Sequence, residues 1–176
     1  AAVAFGDILR RTFGPNGLDK MMYKTNGENA ITNDGAKIVA DLLVKHPAAK
    51  AFVQLAESQE NACGDGVTGC LLFASELMKE AGRLLERGVH PLALVEAYQQ
   101  SMLYTLEVLE SRSMDDVAVN ALRAVAKTAM VGKSAEGGGE DLAGLLVDAM
   151  MTVKESGRPV RAEHVRMAKR GHDSLQ

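Results

Sequence analysis

Three observations predict a mainly α-helical chain with one small β-hairpin. Apolar residues recur at helical spacing through most of the 176 residues. The interruptions are short and dense in Gly, Pro, Asn and His, which makes them turns and caps rather than linkers. Only one pair, Asn26-Gly27, falls between two short strand-like runs, KMMYK and ENAIT, and Asn-Gly in that setting is a hairpin signal.

Each element follows from local chemistry. A first helix over roughly residues 1–12 stops at Gly14-Pro15-Asn16-Gly17, where proline and two glycines cannot continue it. After the hairpin, Asn33-Asp34-Gly35 caps a short helix carrying Ile38, Val39, Leu42 and Leu43. His46 and Pro47 start the next, since proline suits a first turn, and that helix runs to a glycine loop at residue 64. Beyond the loop, Val67, Leu71, Ala74, Met78, Ala81 and Leu85 alternate in steps of four and three. Cys70, Phe73, Leu77 and Leu84 widen that stripe, so this helix is expected to be buried on most sides. Gly88 ends it. His90-Pro91 opens another with Val95, Tyr98, Met102, Leu106 and Leu109 on one face. The chain turns polar over 111–116, a boundary signal, and two further helices follow. The second carries Leu142, Leu145, Leu146, Ala149, Met150 and Val153 at helical spacing, after a Gly137-Gly138-Gly139 run that reads as a turn or a helix start. Residues 161–169 alternate loosely and are expected to form a strand. No repeat of 20 to 50 residues is visible.

Composition removes several classes of function. With 47% hydrophobic and 24% charged residues the chain can bury a substantial core. A net charge of −3 gives no drive toward nucleic acid or anionic membrane. Trp is absent and aromatics are 4%, which leaves little for stacking bases. No apolar run approaches the ~20 residues that span a bilayer, and no signal-peptide layout opens the chain. Cys63 and Cys70 lack a second pair or a histidine cluster. They are expected to be reduced, core-type residues of a cytoplasmic protein, outside any zinc site or disulfide framework.

Two phosphate-binding patterns fail on context. Residues 64–69, GDGVTG, satisfy G-x-G-x-x-G, but that fingerprint needs a preceding strand and here the preceding residues are helical. Gly132-Lys133-Ser134 lacks the glycine a Walker A loop places five positions earlier, where Lys127 stands. What remains is a loop between helices whose glycines let backbone N–H groups approach an anion at a helix start. Asp65 in such a loop suits a Mg²⁺ that bridges to phosphate. It suits an N-cap without ligand equally well.

Taken together, FGPNGLDKMM, ITNDGAKIV, KHPAAK, GDGVTG and ERGVHP resemble, in that order and spacing, the first half of a group II chaperonin subunit. Such subunits form the archaeal thermosome and the eukaryotic cytosolic chaperonin. The resemblance continues through TAMVGKSAEGGGEDLAGLLVDAM and covers nearly the whole chain. It implies a subunit of an ATP-driven protein-folding ring, with residues 1–112 as the N-terminal half of the equatorial, ATP-binding domain. Residues 113–176 would then be the ascending segment of an α/β intermediate domain. The fold it implies is an equatorial helical bundle with a small hairpin. ATP and Mg²⁺ are the implied cofactors. Other subunits of the ring are implied partners, and unfolded proteins would be held by an apical domain absent from this chain.

Site roles carry over by position. Thr12, Gly14 and Pro15 resemble the turn that lies against the nucleotide, and Asp65 the Mg²⁺ ligand. Gly66, Val67, Thr68 and Gly69 correspond to the phosphate cradle. Asp34 resembles the carboxylate that orders the metal and the attacking water, although Asp in that position also serves as a helix cap. Gly132 and Lys133 resemble a nucleotide-sensing loop, although a solvated surface lysine reads the same way. The hairpin resembles the stem-loop that pairs with a neighbouring subunit. Two departures stand out. The family pattern is GDGTT followed by Thr or Ser, so Val67 and Gly69 lack hydroxyls that would each add roughly 0.5–1.5 kcal/mol toward phosphate. The returning segment with the other catalytic aspartate is missing, so this segment alone is expected not to hydrolyse ATP. A second function stays open: a chaperonin-derived helical binding module without ATPase activity.

Overall fold

In the computed structural model, which describes residues 1–23, 27, 29–113, 118–131, 139–166 and 168, helix α1 spans Ala2–Leu9. It tightens into a 3₁₀ turn over Arg10–Thr12, where the Thr12 hydroxyl donates to the Leu9 carbonyl at 2.8 Å. Phe13 is already extended, and Gly14 N-terminal to Pro15 cannot resume the helix. The Gly17 N–H closes the turn on the Gly14 carbonyl at 2.9 Å.

Strands β1 (Lys20–Tyr23) and β2 (Asn29–Thr32) pair antiparallel with Met21 opposite Ile31 and Met22 opposite Ala30. Met22 turns to the core, while Met21, Tyr23 and Ile31 are exposed, the alternation a one-sided hairpin requires. Of the turn, Gly27 has φ 84°, and Thr25 and Asn26 lie outside the described residues.

Helix α2 (Gly35–Ala40) is capped by Asp34, whose carboxylate accepts the Ala36 N–H at 3.1 Å. It buries Ile38 and Val39 and ends a turn earlier than the apolar pattern suggested, so Leu43 is 82% exposed. Helix α3 (Pro47–Cys63) starts on the His46 ring, which accepts the Ala48 N–H at 3.2 Å, and stops at Gly64 in the left-handed conformation, φ 67°. Helices α4 (Val67–Glu86) and α5 (Pro91–Arg112) follow. One core joins α1 to α4: Phe5, Leu9, Ile38, Val39, Ala49, Ala56, Val67 and Leu71, with the Phe5 and Phe52 rings stacked 5.5 Å apart. Full burial of each large aliphatic here contributes about 1.5–3 kcal/mol. Along the crossing of α1 on α4, Ser75 packs onto Gly6 and its hydroxyl donates to the Ala2 carbonyl at 3.0 Å.

Burial differs from the expectation at Cys63, which ends α3 exposed rather than in the core while Cys70 is half-buried, and along α4. Val67, Leu71, Ser75 and Ala81 form its buried face, whereas Phe73, Met78 and Leu85 are exposed. The apolar arc is wider than the surface that α1 to α3 offer it. On α5 only Leu94 is buried, and Tyr98 ties to α4 through a 2.7 Å bond from its hydroxyl to the Leu77 carbonyl.

Residues 1–112 and 113–176 form two compact units. In the second, α6 (Val119–Met130) packs on α7 (Gly139–Thr152), with Ala143 and Val147 buried and Arg123 paired to Asp148 at 3.0 Å. Ala143 and Val147 take the buried face of α7, and Leu145 and Leu146, expected on the apolar stripe, are exposed. The strand expected over 161–169 is not formed where the chain is described. Ala162–His164 is a 3₁₀ turn, closed by the Arg161 N–H donating to the His164 ring at 3.3 Å. This local bonding satisfies the backbone where no neighbouring strand is described to pair with it. No described helix is long and apolar enough to cross a membrane.

Candidate functional site

The loop between α3 and α4 consists of two left-handed glycines around an aspartate, with φ 67° at Gly64 and 79° at Gly66. An L-residue with a β-carbon is strained at either, so glycine here is a backbone requirement. Gly64 closes α3 by donating its N–H to the Glu60 carbonyl at 2.8 Å. Gly66 opens α4, accepting the Cys70 N–H at 2.9 Å, and no side chain caps this helix. The first N–H groups of α4 therefore point into the loop together with the positive end of a 20-residue helix.

Asp65 is exposed. One of its carboxylate oxygens accepts the Gly66 N–H at 2.7 Å, and its carbonyl accepts the Gln59 side-chain amide at 2.9 Å. Gln59 thus clamps the loop from one turn inside α3. The pattern of apolar spacing passes over this residue, because a polar side chain reaching six positions ahead leaves no mark on a helical period.

Two close approaches bring the other candidate residues to this loop. Gly35, the first residue of α2, lies so near Thr68 that a β-carbon on it would overlap the Thr68 hydroxyl and stand 3.2 Å from the Thr68 α-carbon. Phe13 lies over the first turn of α4, its ring edge 3.5 Å from where a β-carbon on Gly69 would be. The Thr12–Pro15 turn, the Asp34 cap and the Asp65–Gly69 loop therefore meet at the N-terminal end of α4.

The individual placements differ. Gly14, at φ 90°, and Pro15 are exposed. Thr12 is buried, with its hydroxyl bonded to Leu9. Asp34 is exposed, and besides capping α2 it donates its own N–H to the Thr32 hydroxyl oxygen at 3.2 Å. Val67 is 4% exposed and belongs to the core, so what it presents to the loop is its backbone. Thr68 is half-buried against Gly35, and Gly69 lies beneath Phe13. Gly132 and Lys133 lie outside the described residues. Phe13 and Gly35 stand inside the FGPNGLDKMM and ITNDGAKIV motifs but carry no site role there, and each enters the site by proximity in space.

Uncapped N–H groups with one or two carboxylates at the rim suit an anion. Among the described residues no three His, Cys, Asp or Glu side chains gather into a self-sufficient metal cage. One or two carboxylates with phosphate and water completing the shell is the arrangement Mg²⁺ favours, so the residues fit a magnesium nucleotide.

Residues 5–176 match the sequence model of the TCP-1/cpn60 chaperonin family. Among curated proteins, the chain is 43% identical to the thermosome subunit alpha of Methanothermobacter thermautotrophicus over 157 residues, which is 89% of this chain and 29% of that protein. It is 38% identical to the thermosome subunit beta of the same organism over 170 residues, 97% of this chain and 31% of that protein. With the thermosome subunit beta of Aeropyrum pernix it shares 41% identity over 159 residues, 88% of this chain and 29% of that protein. The chain therefore spans about three tenths of the length of these relatives.

Proposed function

The chain belongs to the TCP-1/cpn60 chaperonin family, and from that premise we propose that it forms the nucleotide-binding part of an ATP-dependent protein-folding subunit that works in a ring in the cytoplasm. Residues 1–112 act as the N-terminal half of the equatorial domain and residues 113–176 as the ascending part of the intermediate domain. One observation carries the reading: the Gly14 turn, the Asp34 cap and the Asp65–Gly69 loop converge on the uncapped start of α4.

The chemistry follows from what each group can do. Backbone N–H groups of Val67, Thr68 and Gly69, aligned with the helix dipole, receive phosphate oxygens. The Asp65 carboxylate holds the magnesium side of the nucleotide, and Gly14 and Pro15 supply a flat, exposed backbone for the remainder. Mg²⁺, when bound, would supply charge neutralisation to the phosphates. Asp34, at the rim on α2, orients the attacking water and accepts its proton, the work of a positioned carboxylate in phosphoryl transfer. Gly132 and Lys133, outside the described residues, keep the nucleotide-sensing role that the resemblance gives them. Clients are taken by parts of the subunit beyond this chain.

The test uses the full-length protein assembled with its ring partners. Wild type is expected to bind ATP in a Mg²⁺-dependent way and to hydrolyse it. Asp65→Ala is expected to abolish the Mg²⁺-dependent binding with helix content by circular dichroism unchanged. Equal binding by wild type and Asp65→Ala would leave Asp65 as a loop residue that only braces Gly66.

A further inference from the structure

We propose that Gly35 is a positioning residue, whose lack of a side chain sets the distance between the Asp34 carboxylate and the phosphate loop on α4. The inference rests on the nucleotide-binding reading and adds to it a residue that never touches nucleotide. Gly35 is buried at the first position of α2, directly after Asp34 and directly against Thr68. A β-carbon there would overlap the Thr68 hydroxyl and stand 3.2 Å from both the α- and β-carbons of Thr68. The overlap with the hydroxyl is the severe one, since that atom sits on a branched side chain at the start of α4, whereas the carbons at 3.2 Å ask for a shift of only a few tenths of an ångström.

The rest of α2 leaves little freedom to absorb the clash. Ile38 and Val39, one turn on, are each 1% exposed and belong to the core cluster that includes Leu9 and Leu71. Close-packed interiors transmit such strain rather than dissolve it. With its far end anchored, α2 must tilt at its N-terminus, the end that holds Asp34. The glycine is needed for close approach between elements, not for an unusual backbone angle. It fixes Asp34 beside Thr68 from one side, as Phe13 over Gly69 fixes the Gly14 turn from the other.

The consequence is selective. Groups assigned to nucleotide binding sit on α4 and on the Gly14 turn, which Gly35 does not displace. The group assigned to the attacking water sits on the element that moves. Gly35→Ala in the full-length assembled protein is therefore expected to lower kcat for Mg·ATP hydrolysis by about tenfold, since misplacing a reacting group by about 1 Å costs about 100-fold. KM is expected to stay within about twofold, because the binding groups remain in place. The partner variant is Thr68→Ala, which removes the overlapping hydroxyl. In that background Gly35→Ala is expected to lower kcat by no more than about threefold, the non-additivity of residues in direct contact.

Where Gly35→Ala alone does not assemble, the double variant compared with Thr68→Ala carries the same measurement. Depression of its kcat by tenfold or more would then overturn the proposal. So would an unchanged kcat in Gly35→Ala, an equal loss in both backgrounds, or a loss confined to KM. Absence of Mg²⁺-dependent hydrolysis in the wild-type protein would remove the nucleotide reading and this inference together. A hydrolysing wild type with an indifferent Gly35→Ala removes this inference alone.

Discussion

Asp34 has two roles that one substitution cannot separate. Its carboxylate accepts the Ala36 N–H and so stabilises α2, and the same group is proposed to orient water. Serine keeps the capping oxygen and lacks the carboxylate. Asp34→Ser is expected to stay within a few tenths of a kcal/mol of wild type in urea denaturation, and Asp34→Ala to lose about 1 kcal/mol. Hydrolysis by the full-length protein is expected to fall in both variants, by about 100-fold or more, the contribution of a positioned base. Activity retained in Asp34→Ser would reduce Asp34 to a cap. At this scale the legible residues were those whose chemistry is local. Asp34, Gly64 and Gly66 announce a cap and a glycine loop between helices through their immediate neighbours. Gln59, Phe13 and Gly35 were not legible, because their contacts with Asp65, Gly69 and Thr68 depend on how α1, α2 and α3 are set around α4.

At the scale of the element, starts and stops were readable and covered faces were not. Pro47, Gly64, Gly66, Gly88 and Pro91 punctuate the helices as local rules require. Which side of α4 is buried depends on the width of its neighbours, and α1 to α3 cover only the face with Val67, Leu71, Ser75 and Ala81. Loose alternation over 161–169 could not reveal that Arg161 and His164 would satisfy each other locally. The seat of α1 on α4 adds an electrostatic element to this packing. Arg10 pairs with Glu76, and its guanidinium, helped by Lys79, holds the Glu76 carboxyl below its ordinary value of 4.5. A carboxyl depressed in the folded state stabilises above its ordinary value and loses that contribution as pH falls through the folded one. Glu76→Gln is therefore expected to have a lower urea midpoint than wild type at pH 7, and the gap is expected to close on acidification well below pH 4.5. Both partners are solvent-accessible, so the gap is small and shrinks with added salt. A gap independent of pH would assign the effect to side-chain packing.

Across the whole molecule the unbalanced quantity is apolar surface. On α5 the stripe of Val95, Met102, Leu106 and Leu109 is more than half exposed at each position, and Leu92 and Leu103 beside it are more exposed still. Phe73 and Met78 add the outer side of α4. Single exposed hydrophobics are ordinary, but this many on adjacent helices is unusual for a soluble monomer, whose apolar patches rarely exceed a few hundred Å². The core of α1 to α4 is well formed all the same, with Leu9 and Leu71 fully excluded from solvent. Residues 1–176 prepared alone are therefore expected to combine native-like helix content with uncovered hydrophobic faces. They should bind a hydrophobic dye strongly and sediment as concentration-dependent oligomers. Charge substitutions on α5, Val95→Glu with Leu106→Lys, should reduce dye binding and association while leaving helix content unchanged, because neither side chain belongs to the core. A wild-type chain that sediments as a compact monomer, melts cooperatively and ignores the dye would show that α5 closes onto α4 in solution. That outcome would favour the self-sufficient binding module over a part of a larger ATP-driven subunit.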